Sequence, residues 1–359
     1  MTHAAALPDV LDKVRLFYAS FIPGLQNFIA EVIKERLADA VIHKLLDGAV
    51  IFETETSYDK LNFFCFNNIF ACISVMEHKE SSTALEKHIM EFTVSETAEE
   101  IIANNSANFH TFRIVVSNEN KPAHIDENLR TAAEKRISRL SNLKVDRANP
   151  DAEFWFLYRR DDSPGGKNFS VFMKRLTLRP SWESSLHRGE LPPPLAWTLC
   201  RFAGLSHKDT VLDPFCGYGS IPQAAFKYFH VNNFIACDND RDAFLFSAAR
   251  FKKRKNAGFI IHNADFELLH SLVAEKSIDA IVTDPPWGQF KEIDDDRFYI
   301  KMFGVFEKML KDGGRAVVLC ANKDAVVRAA SGCFSLQDSI PILLSGKKTV
   351  IFQFSLKNR

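Results

Sequence analysis

Val211-Leu212-Asp213-Pro214-Phe215-Cys216-Gly217-Tyr218-Gly219-Ser220 runs from an apolar strand, through a loop with two glycines, into a helix start. The chain beyond it keeps the same rhythm. Strands are expected at 210–212, 233–237, 259–261, 280–282 and 316–320, with helices at 220–229, 241–254, 267–274, 297–310 and 323–330 and two strands at the end. Such alternation reads as a doubly wound α/β domain, whose ligands lie at the carboxyl ends of its strands.

Glycine at 217 and 219 lets backbone approach a ligand without a Cβ clash, and the helix start after it offers unpaired N–H groups to a negative group. A tight turn has the same pattern. Asp238, in Cys237-Asp238-Asn239-Asp240, follows Gly219 by 19 residues, near the spacing of an acid that holds ribose hydroxyls. After the third strand, Asp265 is placed to accept from an adenine amino group with Phe266 against the ring, or to cap the next helix. A dinucleotide site usually shows a third glycine where this chain has Pro222.

Thr283-Asp284-Pro285-Pro286-Trp287-Gly288 follows the apolar run Ile278-Asp279-Ala280-Ile281-Val282. Asp284 and the Pro285 carbonyl can each accept one N–H of a planar amine, turning its lone pair toward an electrophile. Trp287 offers a π surface for a base, and two prolines stiffen the loop. The competing reading is a rigid turn with Trp287 in the core. Covalent attack on carbon needs a cysteine here; the nearby Cys216 belongs to the glycine loop.

The N-terminal half has another texture. A strand at 14–18 precedes a helix with Leu25, Phe28, Ile29, Val32, Ile33 and Leu37 on one face, then strands at 49–54 and 69–75. From about 96 come a helix at 96–104, a strand at 111–116, a helix at 125–140, the motif Val145-Asp146-Arg147-Ala148-Asn149-Pro150-Asp151, and strands at 152–158 and 169–173 around a turn at 162–166. Formal charge is zero over the chain, yet Phe52–His110 carries 3 Lys/Arg against 10 Asp/Glu, and Phe112–Glu190 carries 15 against 11. Arg159, Arg160, Lys167, Lys174, Arg175 and Arg179 flank the last strands: a solvated rim, or a phosphate-gripping surface.

The seven cysteines form no metal spacing and read as reduced, buried thiols. No segment has the length of a membrane span, and the first residues lack the features of a leader, so a cytoplasmic chain is expected.

The Asp213/Gly217/Gly219, Asp238 and Asp265 series resembles class I S-adenosylmethionine-dependent methyltransferases, and Asp284-Pro285-Pro286-Trp287 resembles the reaction motif of amino methyltransferases. The Val145–Asp151 motif with its strands and basic hairpin resembles a THUMP domain, and the region before it a ferredoxin-like domain. The whole is similar to THUMP-domain RNA methyltransferases, within them to tRNA guanine-N2 methyltransferases. The resemblance implies an α/β fold: a Rossmann-like domain at 191–359 behind a linker at 178–190, a THUMP domain at 96–177 and a ferredoxin-like α+β domain at 1–95.

It further implies S-adenosylmethionine held by Asp213, Phe215, Gly217, Gly219, Ser220, Asp238, Asn239, Asp265 and Phe266. Asp284, Pro285 and Trp287 are then catalytic, with no metal. RNA meets Arg159, Arg160, Lys167, Lys174 and Arg175. The implied substrate is the N2 amine of a guanosine in the tRNA acceptor stem, position 6 favoured, bound by a monomer. His187-Arg188-Gly189-Glu190 resembles the segment that helps close the cofactor site. Ribosomal or small nuclear RNA, DNA, and a non-catalytic RNA-binding role stay open.

Overall fold

A computed structural model describes residues 15–58, 61, 64–78, 83–95, 99–103, 108–177, 186–252, 258–287 and 295–357. Gly288, Arg179, Lys253, Arg254, Lys255 and the linker residues Pro180 and Trp182 lie outside them. The chain divides into two compact units, 1–21 with 26–179 and 180–359 with 22–25.

The first unit contains β1 (Leu16–Ser20), α1 (Gln26–Arg36), β2 (Val41–Leu46), β3 (Ala49–Glu53), β4 (Asn68–Glu77), α2 (Ala84–Val94), α3 (Glu99–Ala103), β5 (Thr111–Asn118), β6 (Lys121–Pro122), α4 (Glu127–Ser141), β7 (Lys144–Val145), β8 (Ala152–Arg159) and β9 (Phe169–Arg175). One sheet in the order β2-β3-β1-β4-β9-β8-β5-β6, with β7 beside β5, takes in all these strands. The expected boundary at 95 is therefore not a break between cores. β4 pairs antiparallel with β9 from Phe70↔Arg175 to Glu77↔Phe169, so both expected N-terminal domains share a sheet.

Phe156 and Phe172 stack face to face at 4.2 Å, and Phe92 of α2 packs on Phe172 at 4.5 Å. Helix α2 was absent from the expected elements, although its buried residues Ala84, Leu85, His88, Ile89 and Phe92 recur at helical spacing. Asp126 caps α4 by accepting from Asn128 N and Leu129 N, and Asn142 closes it in the left-handed conformation.

The second unit contains α5 (Pro193–Phe202), β10 (Thr210–Asp213), α6 (Ser220–Tyr228), β11 (Asn233–Asp238), α7 (Arg241–Phe251), β12 (Gly258–Asn263), α8 (Leu269–Leu272), β13 (Ile278–Thr283), α9 (Asp295–Met309), β14 (Leu310–Cys320), α10 (Lys323–Ala330), β15 (Phe334–Leu344) and β16 (Lys347–Leu356). A 3-10 turn, Phe266–Leu268, precedes α8, so the helix expected at 267–274 is in two short pieces.

Strand order is β12-β11-β10-β13-β14-β16-β15. The strands from β12 to β14 are parallel, and β16 pairs antiparallel with both β14 and β15. Chain direction across the sheet reverses between β10 and β13, which opens a crevice at their carboxyl ends. Buried strands explain the apolar runs there: Val211, Leu212, Ile281 and Val282 are wholly buried. Among the described residues, no helix is long and apolar enough to cross a membrane.

Candidate active site

Both motifs meet at that crevice. Asp213 ends β10 with no exposed surface. Its Oδ1 accepts from Thr283 Oγ1 at 2.7 Å and from Phe215 N at 3.2 Å. Burial pushes the Asp213 carboxyl up to about 7, against the opposing pull of those hydrogen bonds. Its Oδ2 is sealed from solvent with no hydrogen-bond partner. Thr283 is not among the residues the sequence singles out, yet its buried hydroxyl, directly before Asp284, ties the end of β13 to Asp213.

The glycine loop folds back on β11. Cys216 N donates to Cys237 O at 3.0 Å, and Gly217 N donates to Asp238 Oδ2 at 2.7 Å. Asp240 N takes the other Asp238 oxygen at 2.9 Å. Each carboxylate oxygen keeps acceptor capacity for a hydroxyl, and burial raises the Asp238 carboxyl above its ordinary range.

The two glycines serve different ends. Both have positive φ, +51° at Gly217 and +86° at Gly219. A Cβ at 217 meets nothing within 4 Å, so the space over it is open to a ligand. A Cβ at 219 would meet Ser247 Oγ at 2.7 Å and Phe251 at 2.9 Å. Gly219 is thus required for packing the loop on α7, not for approach to a ligand. Gly219 also precedes Ser220 at the start of α6, where no side chain caps the helix, and the free N–H groups there suit a carboxylate.

Asp265 does what a cap does: its Oδ1 accepts from Glu267 N at 3.0 Å. Its Oδ2 holds Asn239 Nδ2 at 3.3 Å, joining the turns after β11 and β12. Phe266 is 6% exposed and lies in the core with Phe215 at 5.1 Å and Phe298 at 5.4 Å. A ring so deeply packed supports the cradle from beneath, while Phe215 and Phe298 are half-buried.

His187 and Glu190 clasp the loop from outside. The His187 ring stacks on Tyr218 at 4.0 Å and meets Phe246 of α7 edge-on at 4.6 Å. Glu190 Oε1 accepts from Ser220 Oγ at 3.3 Å and Arg250 Nη2 at 3.1 Å, and Oε2 from His187 N at 3.1 Å. Arg250 therefore pairs with an acid and covers Phe246 at 4.8 Å.

Asp284 follows β13. The residue is half-buried, yet its Oδ1 is sealed from solvent without a partner. Burial first, and then the charge of Asp213, raise its carboxyl well above the usual range, while the Trp287 indole N–H opposes them. Pro285 is buried and Pro286 exposed. Trp287 is half-buried against the core beneath β14, and its Nε1 donates to Leu319 O at 3.2 Å. The indole is thus anchored in the protein, while the residue is only half-buried.

The basic hairpin departs from expectation. Arg159 is 7% exposed and pairs with Glu119 at 3.2 Å. Lys174 is 4% exposed, donates to Ile101 O at 3.3 Å, and is lowered to about 7 by burial. The Arg175 side chain is 8% exposed and pairs with Glu153 at 3.0 Å, beside the Arg113–Glu153 pair. All three side chains are engaged inside the unit, Arg159 and Arg175 with acids and Lys174 with a backbone carbonyl, and reaching a phosphate would break those contacts. Arg160 and Lys167 remain at the surface, paired with Glu119 and Glu77. Charge counts do not report which face of a strand a side chain takes.

A doubly wound sheet with a glycine loop, two acids at successive strand ends and Asp-Pro-Pro-Trp at the crevice defines a methyltransferase domain that uses S-adenosylmethionine. Residues 180–337 match the family UPF0020, described as RMKL-like, methyltransferase domain. The fold of the chain is similar to TrmN from Thermus thermophilus (18% identity, 95% of this chain and 99% of that one, TM-score 0.75). It is similar too to SMU.472 in complex with SAH (10% identity, 96% and 99%, TM-score 0.68). A third likeness is to a predicted N6-adenine-specific DNA methylase from Listeria monocytogenes (12% identity, 94% and 95%, TM-score 0.63). No curated protein matches the chain by sequence. The orphaned Asp213 Oδ2, the open space over Gly217 and the uncapped start of α6 fit the cofactor.

Proposed function

We propose that the protein methylates the exocyclic N2 amine of a guanosine in tRNA, in the acceptor stem with position 6 favoured, in the cytoplasm. The N-terminal unit, read as ferredoxin-like plus THUMP, binds the acceptor arm and 3′ end, and the base is flipped out of the helix. One observation carries the reaction type. Asp284 Oδ1 is a desolvated acceptor with no donor among the described residues, just past the carboxyl end of β13 beside the cofactor cradle.

When bound, S-adenosylmethionine supplies an activated methyl group on a sulfonium. The chain's own residues supply alignment and exclusion of water. Asp284 accepts one N–H of the amine and the Pro285 carbonyl the other, so the nitrogen lone pair is drawn out of conjugation with the ring and faces the methyl group. The Trp287 ring, fixed by Leu319 O, stacks on the base. Asp238 holds the ribose hydroxyls, and Asp265 with Asn239 borders the adenine pocket.

Support for an RNA surface moves from the hairpin to α4. Lys135 and Arg139 lie one turn apart on α4, with Lys144 just beyond it; all three are exposed and make no ion pair among the described residues. Charge in this state suits phosphate contacts. The test is labelled S-adenosylmethionine with the full chain and bulk tRNA, followed by nucleoside mass spectrometry. Label in N2-methylguanosine is the expected result. Label in DNA or another RNA, with none in tRNA guanosine, overturns the assignment.

A further inference from the structure

Two carboxylates at the crevice each keep one sealed oxygen without a donor: Asp213 Oδ2 and Asp284 Oδ1. They stand at the carboxyl ends of β10 and β13, hydrogen-bonded neighbours in the sheet, about 4.8 Å apart as parallel strands are. Thr283 ties the two ends together through Asp213 Oδ1. Asp213 is faced by Cys200 from α5, Cys216 from the loop, Cys237 and Asp238 from β11, and Asp284 from β13. Asp284 is faced by Asp213 and the Trp287 indole. No cation pairs with either carboxylate among the described residues. Two like charges in so dry a place cannot both persist without a counter-charge.

We propose that the Asp213–Asp284 pair holds one proton in the ligand-free protein, exchanges it for the sulfonium charge of S-adenosylmethionine, and takes a proton back from the amine as it is methylated. The inference rests on the amino-methyl-transfer reading of the site. Charge and atoms balance. The nitrogen lone pair forms the N–CH3 bond, the S–CH3 bond breaks with its electrons left on sulfur, and the amine's proton passes to the carboxylate pair. Before the reaction the pair carries two negative charges against one sulfonium; afterwards one negative charge and one proton stand beside a neutral thioether. Only the cofactor-loaded protein then presents Asp284 as a full acceptor, so cofactor binding precedes productive binding of the base.

Calorimetry of the full chain with S-adenosylmethionine, in two buffers of different ionisation enthalpy, tests this. At pH values where the ligand-free pair still holds its proton, a release of up to about one proton per cofactor is expected, and Kd should fall by up to about tenfold per pH unit, levelling off once the free pair has lost that proton. S-adenosylhomocysteine, without the sulfonium charge, should release clearly less. Thr283→Val, which removes a donor that favours charged Asp213, should move the levelling-off to higher pH, and Asp213→Asn should abolish the release. Cofactor binding with no proton release and a flat Kd overturns the proposal, as does equal release with S-adenosylhomocysteine. Absence of any cofactor binding overturns the underlying reading instead, and the two failures are distinguishable in one titration.

Discussion

Thr283 Oγ1 donates a 2.7 Å hydrogen bond to Asp213 Oδ1, joining residues from the two strands between which the sheet reverses. Asp213 begins the cofactor loop and Thr283 precedes the reaction motif. One short bond therefore fixes the relative placement of the two halves of the chemistry.

That placement has a thermodynamic cost. Asp213 titrates near 7 in the fold, against 3.8 ordinarily. A raised acid binds its proton more tightly when folded, so the protein is most stable at low pH in this respect and loses stability as pH rises from about 4 through 7. Asp213→Asn should stabilise the ligand-free protein by about 2 kcal/mol at pH 8 and by little at pH 4. Urea unfolding at the two pH values checks it; a variant weaker at pH 8 contradicts the account.

Asp284→Asn keeps shape but exchanges an acceptor oxygen for an amide. We expect kcat to fall by about 10²–10³, as for loss of one aligned hydrogen-bonding group at a reaction centre. Cofactor affinity should stay within about tenfold. Single-turnover methylation and a cofactor titration separate the two effects; equal loss in both would place Asp284 in binding alone.

Glu190 satisfies three donors while its side chain is 5% exposed. Glu190→Ala leaves Arg250 without its acid and unpins Ser220 and His187 from the loop. A loss of about tenfold in cofactor affinity is expected, with kcat at saturation little changed. Unchanged affinity would show that this clasp has no part in holding the cradle.

Replacing Lys135, Arg139 and Lys144 together with Glu should weaken tRNA binding. If each makes one phosphate contact, the slope of log K against log salt falls by about 2–3. Cofactor affinity should not move, because the substitutions lie in the other unit. Filter binding over a salt series reads this directly, and an unchanged slope removes α4 from the RNA surface.

His88 sits buried between Ser74, 2.7 Å from Nε2, and Ser170, 2.6 Å from Nδ1, with His78 on the far side of Ser170. Burial lowers His88 to about 4. The unfolded chain takes up a proton near 6.5 while the folded one does not, so stability is full above that pH and is lost as pH falls from 6.5 toward 4. The decline should approach about 2–3 kcal/mol at pH 4, and His88→Gln should flatten it. Thermal unfolding from pH 7 to 4 measures both.

Much of the catalytic fold is legible because its central strands, β10 and β13, are buried on both faces. Apolar runs such as Ala280-Ile281-Val282 bounded by turn residues mark a strand without ambiguity. Helix α10 is expected at 323–330, where it is found, and the structure shows Asn322 capping its start by accepting from Ala325 N. β2 was missed: Val41–Leu46 is an edge strand with no buried residue, so it lacks the alternation that burial imposes.

For the site, sequence by itself determined which groups are available. Asp213, Asp238, Asp265 and Asp284 each follow a strand, and strand order in an α/β chain brings such ends to one edge of a sheet. What tertiary structure decided was how each group is solvated. It gave Asp265 a cap to hold, put Phe266 in the core, spent Arg159 and Arg175 on acids and Lys174 on a backbone carbonyl, and assigned Gly219 to packing. It also left Asp213 wholly buried and Asp284 Oδ1 sealed from solvent, with no cation paired to either among the described residues. Burial and pairing depend on residues far apart in the chain, here 70 positions for Thr283 and Asp213. Local spacing carries no record of them.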